Sequence, residues 1–381
     1  MPEYDVIIAG LGAMGSAAAW HLSASGYRVL GLERFEPPHQ FGSSHGLTRI
    51  IREAYFEHPL YVPLVQRAYE LWSDLEGRSG RKLLVQTGGL MIGPAGGVLV
   101  TGAIRSAKAH KLPHQLLSAE EIRKRFPAFA LPDKMVAVWE PRAGILFPEL
   151  AIQSYLEIAR EKGAALKFNT PVIGWKAHEG GVRVDTGVQS YTASNLVLSA
   201  GSWMNSLLPD LRLPLSVERQ VLFWFEPLSR QELFKSDRFP IFIWEFAYRH
   251  FFYGFPDLGD GVKIGIHHEG QTAQPDSINR EVSEAEIETA RNLLCRFFPS
   301  AAGKCRSAAV CMYTNTPDEH FLLDRHPLYP QVLIVSPCSG HGFKFSAVIG
   351  EITATLLSGG KPVFDLNLFR LSRFANLAVG S

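Results

Sequence analysis

What most constrains this chain lies at its very start. An apolar run over 5–9 leads into Gly10-Leu11-Gly12-Ala13-Met14-Gly15, and a second apolar run over 28–33 ends on Glu33. The pattern predicts a strand, a Gly-rich turn, a helix over 13–25 and a second strand, which together form a βαβ unit that holds a dinucleotide. Gly10 makes the tight turn, Gly12 lets a pyrophosphate reach the backbone, and Gly15 lets helix and strand pack closely. The helix N-terminus offers free N–H groups and the positive end of its dipole to the phosphates. Glu33 is placed to bond ribose hydroxyls, which favours an unphosphorylated adenosine ribose. By itself the motif serves NAD and FAD alike.

At 381 residues the chain is too long for one core, so two domains are expected. Hydrophobic residues make up 46% and charged residues 20%, an ordinary balance for a globular protein. A net charge of +1 gives no reason to expect nucleic acid or a charged membrane surface as a partner. The start of the chain carries no signal-peptide pattern. The apolar stretch over 83–104 is broken by Gln86, Thr87 and glycines, so it does not read as a membrane span. Val379-Gly380-Ser381 is neither a peroxisomal nor a retention signal. Cys295, Cys305, Cys311 and Cys338 are expected as free thiols in a reducing cytoplasm, and no metal site is implied.

Further along, helices are expected over 48–76, 104–110, 119–126, 151–162, 283–298 and 345–358. Strands are expected within 86–97 and at 181–185, 195–200 and 332–336. The stretch 217–268, rich in aromatic and β-branched residues, predicts a large antiparallel sheet. The αβ texture occurs at both ends and again near 145–210, with β-rich texture between. The fold class is therefore α/β: a discontinuous Rossmann-type domain with an inserted substrate domain built on a large, mainly antiparallel sheet.

Several side chains could carry chemistry. If 48 onward is helical, Arg49 and Arg52 share one face and could hold a carboxylate, although a solvated helix face would look the same. In the hairpin around 251–267, the period of two puts Lys263 and His267 on the face opposite Val262, Ile264 and Ile266, either lining a site or facing water. Alone, Cys311 reads as a buried small hydrophobe. Ser339-Gly340-His341-Gly342-Phe343-Lys344-Phe345 opens the last helix, where close backbone approach and a positive helix end favour a negative charge.

Together these blocks resemble the monomeric sarcosine oxidase family, which includes N-methyltryptophan oxidase and sarcosine/pipecolate oxidases. The resemblance covers essentially the whole chain. It is carried by Pro37-Pro38-His39, His45-Gly46 with Thr48-Arg49-Ile50-Ile51-Arg52, Tyr253-Gly254-Phe255-Pro256, Lys263 with His267, Cys311 with Tyr313, Asp318-Glu319 with Phe321, and the Ser339–Phe345 block.

The resemblance implies a covalent-FAD amine oxidase that oxidises a secondary amino acid with a free carboxylate, while O2 is reduced to H2O2. It implies FAD joined to Cys311 through an 8α thioether. Arg52 and Lys344 would clamp the carboxylate, with Glu57 supporting the arginines through a charge pair. Tyr253 and His267 would line the substrate pocket, Lys263 would assist oxygen, and His45, Thr48 and Arg49 would lie near the flavin ring. The cofactor would be held by Gly10, Gly12, Ala13, Met14, Gly15, Glu33, Arg34, Ser43, Ser44, Arg49, Val172, Ala200, Gly201, Trp203, Met312, Gly340, Gly342, Phe343 and Lys344.

The implied FAD-binding domain comprises 1–80, 145–213 and 318–381, and the substrate domain 81–144 and 214–317. A monomer is implied. Leu47 and Glu53 stand where close relatives carry Asp and His, and Pro337 and Cys338 also depart from the family pattern. Three other readings compete. They are a flavin amine dehydrogenase with another electron acceptor, a nicotinamide dehydrogenase, and a binding protein on a retired oxidase fold. Lys263 argues against the first. Cys311 and the 340–344 turn argue against the second. Arg52, Lys344 and Lys263 together argue against the third.

Overall fold

The computed structural model describes residues 2–374. The C-terminal tripeptide and the end of the 318–381 segment lie outside the described residues. Strand Tyr4–Ala9, helix Ala13–Ala24 and strand Val29–Leu32 form the expected βαβ unit. Tyr4–Ala9 lies between Val29–Leu32 and Ser190–Leu198, parallel to both. Ala165–Lys167 and Val332–Ser336 extend the parallel sheet on either side. Its central strand is apolar without alternation, and Val6, Ile7 and Ile8 are fully buried, as a parallel strand covered on both faces requires.

On its other edge the long strand Ser190–Leu198 serves two further partners. Its first half pairs antiparallel with Gly181–Asp185, and its second half pairs parallel with Val332–Ser336. Leu322–Arg325 closes that edge antiparallel.

The second sheet has eight strands. Their order is Cys305–Asn315, Ser216–Phe225, Val262–His267, His250–Phe255, Ile241–Ala247, Gly89–Pro94, Met135–Glu140 and Gln115–Ser118. All its pairings are antiparallel except that of Gly89–Pro94 with Ile241–Ala247. One face rests on an aromatic core that includes Phe129, Phe239, Phe242, Trp244, Phe252, Phe297 and Phe298. The expected large sheet over 217–268 is its centre. A small sheet of Arg49–Ile51, Gly144–Leu146 and Leu84–Gln86 lies apart from both.

One helix expectation is corrected. The stretch 48–76 is not one helix: Arg49–Ile51 is a strand, and the helix is Tyr61–Ser79. The β-branched Ile50 and Ile51 pair with Gly144–Leu146. Pro59 disfavours helical backbone at His58, so the helix starts beyond it, with Pro63 harmless in its first turn. Arg49 and Arg52 therefore do not share a helix face.

Other boundaries move by about a turn. Pro148 at the first helical position starts Pro148–Glu161 earlier than expected. The helix expected at 104–110 begins at Val98, and a short 3-10 turn, Phe343–Phe345, precedes Ser346–Leu357. Among the described residues no helix is long and apolar enough to cross a membrane.

Candidate active site

A cavity of about 510 Å³ runs from the first Gly-rich turn to the last one. At one end the backbone forms it. Helix Ala13–Ala24 has Gly12 as its N-cap, no side-chain cap and no acid in its first turn, so its first N–H groups are free. A Cβ on Gly12 would meet nothing within 4 Å, while one on Gly15 would sit 1.8 Å from the Gly10 carbonyl oxygen. Gly12 therefore leaves room for a ligand, and Gly15 permits the helix–strand contact. The Glu33 carboxylate lines the cavity and accepts from Leu11 N at 2.6 Å and Phe35 N at 3.1 Å. Arg34 pairs with Asp276 at 2.8 Å and stacks on Trp203, whose indole N–H donates to the same Asp276. An uncapped helix end, an open glycine and a carboxylate at the second strand's end fit the pyrophosphate and ribose of FAD.

The other end is made of side chains. Arg49 donates to the carbonyls of Ser43, His45 and Thr48, and its Nη2 lies 3.8 Å from Cys311 Sγ. Cys311 is buried on strand Cys305–Asn315, and Tyr313 lies two residues along on the same face. Arg52 is buried; its Nη2 reaches both oxygens of Glu57 at 2.7 Å, and its ring-like plane stacks over Tyr55 and Phe56. Its Nε–H is buried without a hydrogen-bond partner. Burial alone would lower the Arg52 guanidinium, but Glu57 and Tyr55 outweigh it and the group is raised.

Lys344 Nζ donates to the His341 carbonyl at 2.7 Å and to the Tyr55 hydroxyl at 3.3 Å, which leaves it one N–H to give. Burial and the Arg52 charge push Lys344 down to about 7, with Glu57 opposing. Burial, with cations nearby, also holds His267 well below its usual range; its Nδ1 faces the Tyr313 hydroxyl at 3.1 Å. Gly340, at φ +76, packs against both rings: a Cβ there would meet Tyr313 at 2.5 Å and His267 at 2.8 Å.

Most expected site residues line this one cavity: Gly10, Gly12, Ala13, Met14, Glu33, Arg34, Ser43, Ser44, Arg49, Arg52, Val172, Ala200, Gly201, Trp203, Tyr253, His267, Cys311, Met312, Gly340, Gly342, Phe343 and Lys344. Gly15, His45, Thr48 and Lys263 are not among its lining residues. As expected, Lys263 and His267 share a strand face. The Lys263 ammonium points into the 46–48 loop, where it meets Gly46 O at 2.6 Å and Thr48 O and Oγ1 at 2.9 Å each. It also lies over the Phe255 and Trp224 rings. Burial and then Arg49 push Lys263 well down. His45 is lowered to about 3, by burial first and then Arg49.

Sequence reasoning did not single out Tyr313 and His341 as site residues. The alternation from Cys311 and the position between two glycines were the signals available. Tyr55 left no signal.

The chain belongs to the FAD dependent oxidoreductase family, whose model matches residues 5–356, and within it to the monomeric sarcosine oxidase group. It is 44% identical to the monomeric sarcosine oxidase of Streptomyces avermitilis, over 98% of both chains. It is 37% identical to the N-methyl-L-tryptophan oxidase of Yersinia pestis, over 98% of this chain and 100% of that one. The solved structure of NikD, an unusual amino acid oxidase essential for nikkomycin biosynthesis, shares the fold, with a TM-score of 0.84 at 24% identity over 96% of this chain and 97% of that chain.

Proposed function

We propose that this protein oxidises a small secondary amino acid at its C–N bond, as a sarcosine oxidase does, with O2 as electron acceptor and H2O2 as product. One observation carries the reading: lining the cavity, Arg52 and protonated Lys344 supply two positive charges against one from Glu57, and each cation keeps an unused N–H. A net charge of +1 with two spare donors suits one carboxylate. Burial and this positive field disfavour an ammonium, so the amino acid is held best with its amine neutral, as loss of hydride requires. The lowered His267 adds no charge at neutral pH and so leaves the neighbouring wall uncharged.

When bound, FAD would supply the hydride acceptor for the substrate carbon and the two electrons that oxygen needs. The 10–15 turn, Glu33, Arg34 and Trp203 would hold its adenosine diphosphate end. Cys311 would carry the thioether, with Arg49 supplying a cation beside the sulfur. The uncapped turn at Gly342, with the cations around it, would favour negative charge at the redox end. Lys263 would supply the fixed cation that oxygen reduction needs. Water then hydrolyses the imine product.

The division into 1–80, 145–213 and 318–381 against 81–144 and 214–317 belongs to the same proposal. The parallel sheet draws its strands from the first set and the large antiparallel sheet from the second. We further infer a cytoplasmic location, a reading supported by four free thiols, and a monomer, supported by the name of the monomeric sarcosine oxidases it resembles.

The test is a panel of sarcosine, N-methyltryptophan, proline and pipecolate, following peroxide and anaerobic bleaching of the flavin, together with acid precipitation of the protein. A yellow pellet and peroxide from at least one substrate are expected. Colour released to the supernatant would remove the covalent bond, and bleaching without peroxide would point to another acceptor.

A further inference from the structure

Glu149 lies in the first turn of helix Pro148–Glu161, and none of the roles described above involves it. Its carboxylate reaches across to the 46–48 loop, where Oε1 accepts from Gly46 N at 2.8 Å and Leu47 N at 3.1 Å. The Gly46–Leu47 peptide therefore has two charged partners. Its N–H donates to the Glu149 carboxylate, and its C=O accepts from the Lys263 ammonium at 2.6 Å. A peptide held this way is polarised from both ends, and each bond strengthens the other.

Arg49 holds the flanking carbonyls of His45 and Thr48, but among the described residues only Glu149 accepts from the Gly46 and Leu47 N–H groups. Leu47 has φ +70, a conformation that costs a leucine energy, and its side chain is exposed. Thr48 N donates to Gly46 O, which closes the turn on the atom that Lys263 also uses. Charge acts in the same sense. Burial and Arg49 disfavour the Lys263 ammonium, whereas Glu149 is the carboxylate that favours it.

We propose that Glu149 is a positioning residue for Lys263: it holds the Gly46–Leu47 peptide so that its carbonyl fixes the ammonium, and thereby sets the rate of the oxygen half-reaction and not that of the amine half-reaction. The inference rests on the reading that Lys263 serves oxygen reduction. In that half-reaction O2 takes two electrons and one proton from the reduced cofactor and one proton from solvent, giving H2O2. The first electron makes the oxygen anionic, which is the charge a fixed Lys263 meets.

The experiment compares the wild-type holoenzyme with E149A, E149Q, K263M and E149A/K263M, timing anaerobic reduction and aerobic reoxidation separately. E149A is expected to reoxidise about tenfold more slowly, with reduction changed by less than about twofold. E149Q keeps an acceptor oxygen without the charge and is expected to reoxidise about threefold more slowly than wild type, between wild type and E149A. The double variant is expected to be no slower than K263M, because Glu149 acts through Lys263. Hydrogen exchange at the Gly46 and Leu47 amides is expected to rise in E149A with no change in Tm.

Wild-type reoxidation in E149A beside a slow K263M would overturn the role of Glu149 alone. Equal slowing of both half-reactions, or additive effects in the double variant, would do the same. Normal reoxidation in K263M would remove the reading of Lys263 and this inference with it. Should E149A fail to fold, E149Q decides: reoxidation slowed with reduction intact supports the role, and no slowing overturns it.

Discussion

The two ends of the cavity meet anionic groups by different physical means. At the 10–15 turn the donors are backbone N–H groups at an uncapped helix end, with no side-chain charge in the first helical turn. At the far end the donors are Arg49, Arg52 and Lys344, with Lys263 just behind them. A backbone cradle cannot be titrated and does not reorganise, which suits a group held for the life of the protein. Buried side-chain cations can be tuned by their neighbours, which suits groups that arrive, react and leave. The proposed thioether at Cys311 would join a permanent anchor to this tunable end.

The sharpest way to break the comparison is at Gly15. A Cβ there falls 1.8 Å from the Gly10 carbonyl oxygen, so even alanine must displace the helix from the turn. G15A is expected to yield folded or partly folded protein with less than about a tenth of the wild-type flavin, read from visible absorbance against circular dichroism. Full flavin content in G15A would show that the backbone geometry at this end is not decisive.

The next effect belongs to the other end. R52M removes a buried cation and leaves Glu57 without its hydrogen-bond partner, beside the proposed carboxylate site. Breaking such a pair costs about 2–5 kcal/mol, so kcat/KM is expected to fall by about 1.5 to 3.5 orders of magnitude, with flavin content unchanged. In R52M/E57Q, where the stranded carboxylate is neutral, about tenfold of that loss should return. A lone R52M that also loses its flavin would show that the two ends are not separable.

The two ends also differ in how far the sequence reveals them. The 10–15 turn is local: strand, glycines, helix and Glu33 are contiguous, and each constrains its neighbour. The side-chain end draws on Arg52, Glu57, Tyr253, His267, Cys311, Tyr313 and Lys344, which only the tertiary fold brings together. Spacing identified some members, such as Lys263 and His267 on one strand face. It misread others: the helix expected over 48–76 gave way to a strand because pairing with Gly144–Leu146 outweighed the local pattern. Tyr55 bonds Lys344 and His341, and Glu149 bonds the 46–48 loop from more than a hundred residues away. Neither residue belongs to a local motif, so neither could be read from the sequence.

A pH profile separates a titratable end from one that cannot titrate. Burial and Arg52 lower Lys344 to about 7, so its ammonium is largely present below that pH and largely lost above it. An anion needs the charged form. Binding of a carboxylate lacking an amine, such as methylthioacetate, should therefore be level below pH 7 and weaken by up to about tenfold per unit above it. The bound carboxylate raises Lys344 in turn, so the decline should level off at higher pH, where the complex also loses its proton. K344Q should bind more weakly and show no such decline. In C311A, where no thioether can form, flavin retention by the 10–15 turn should be unchanged across the same range, since backbone N–H groups do not titrate there. A decline that persists in K344Q would assign the titration to another group. A flat wild-type profile would mean that Glu57 keeps Lys344 charged throughout, and the far end would then be as fixed as the near one.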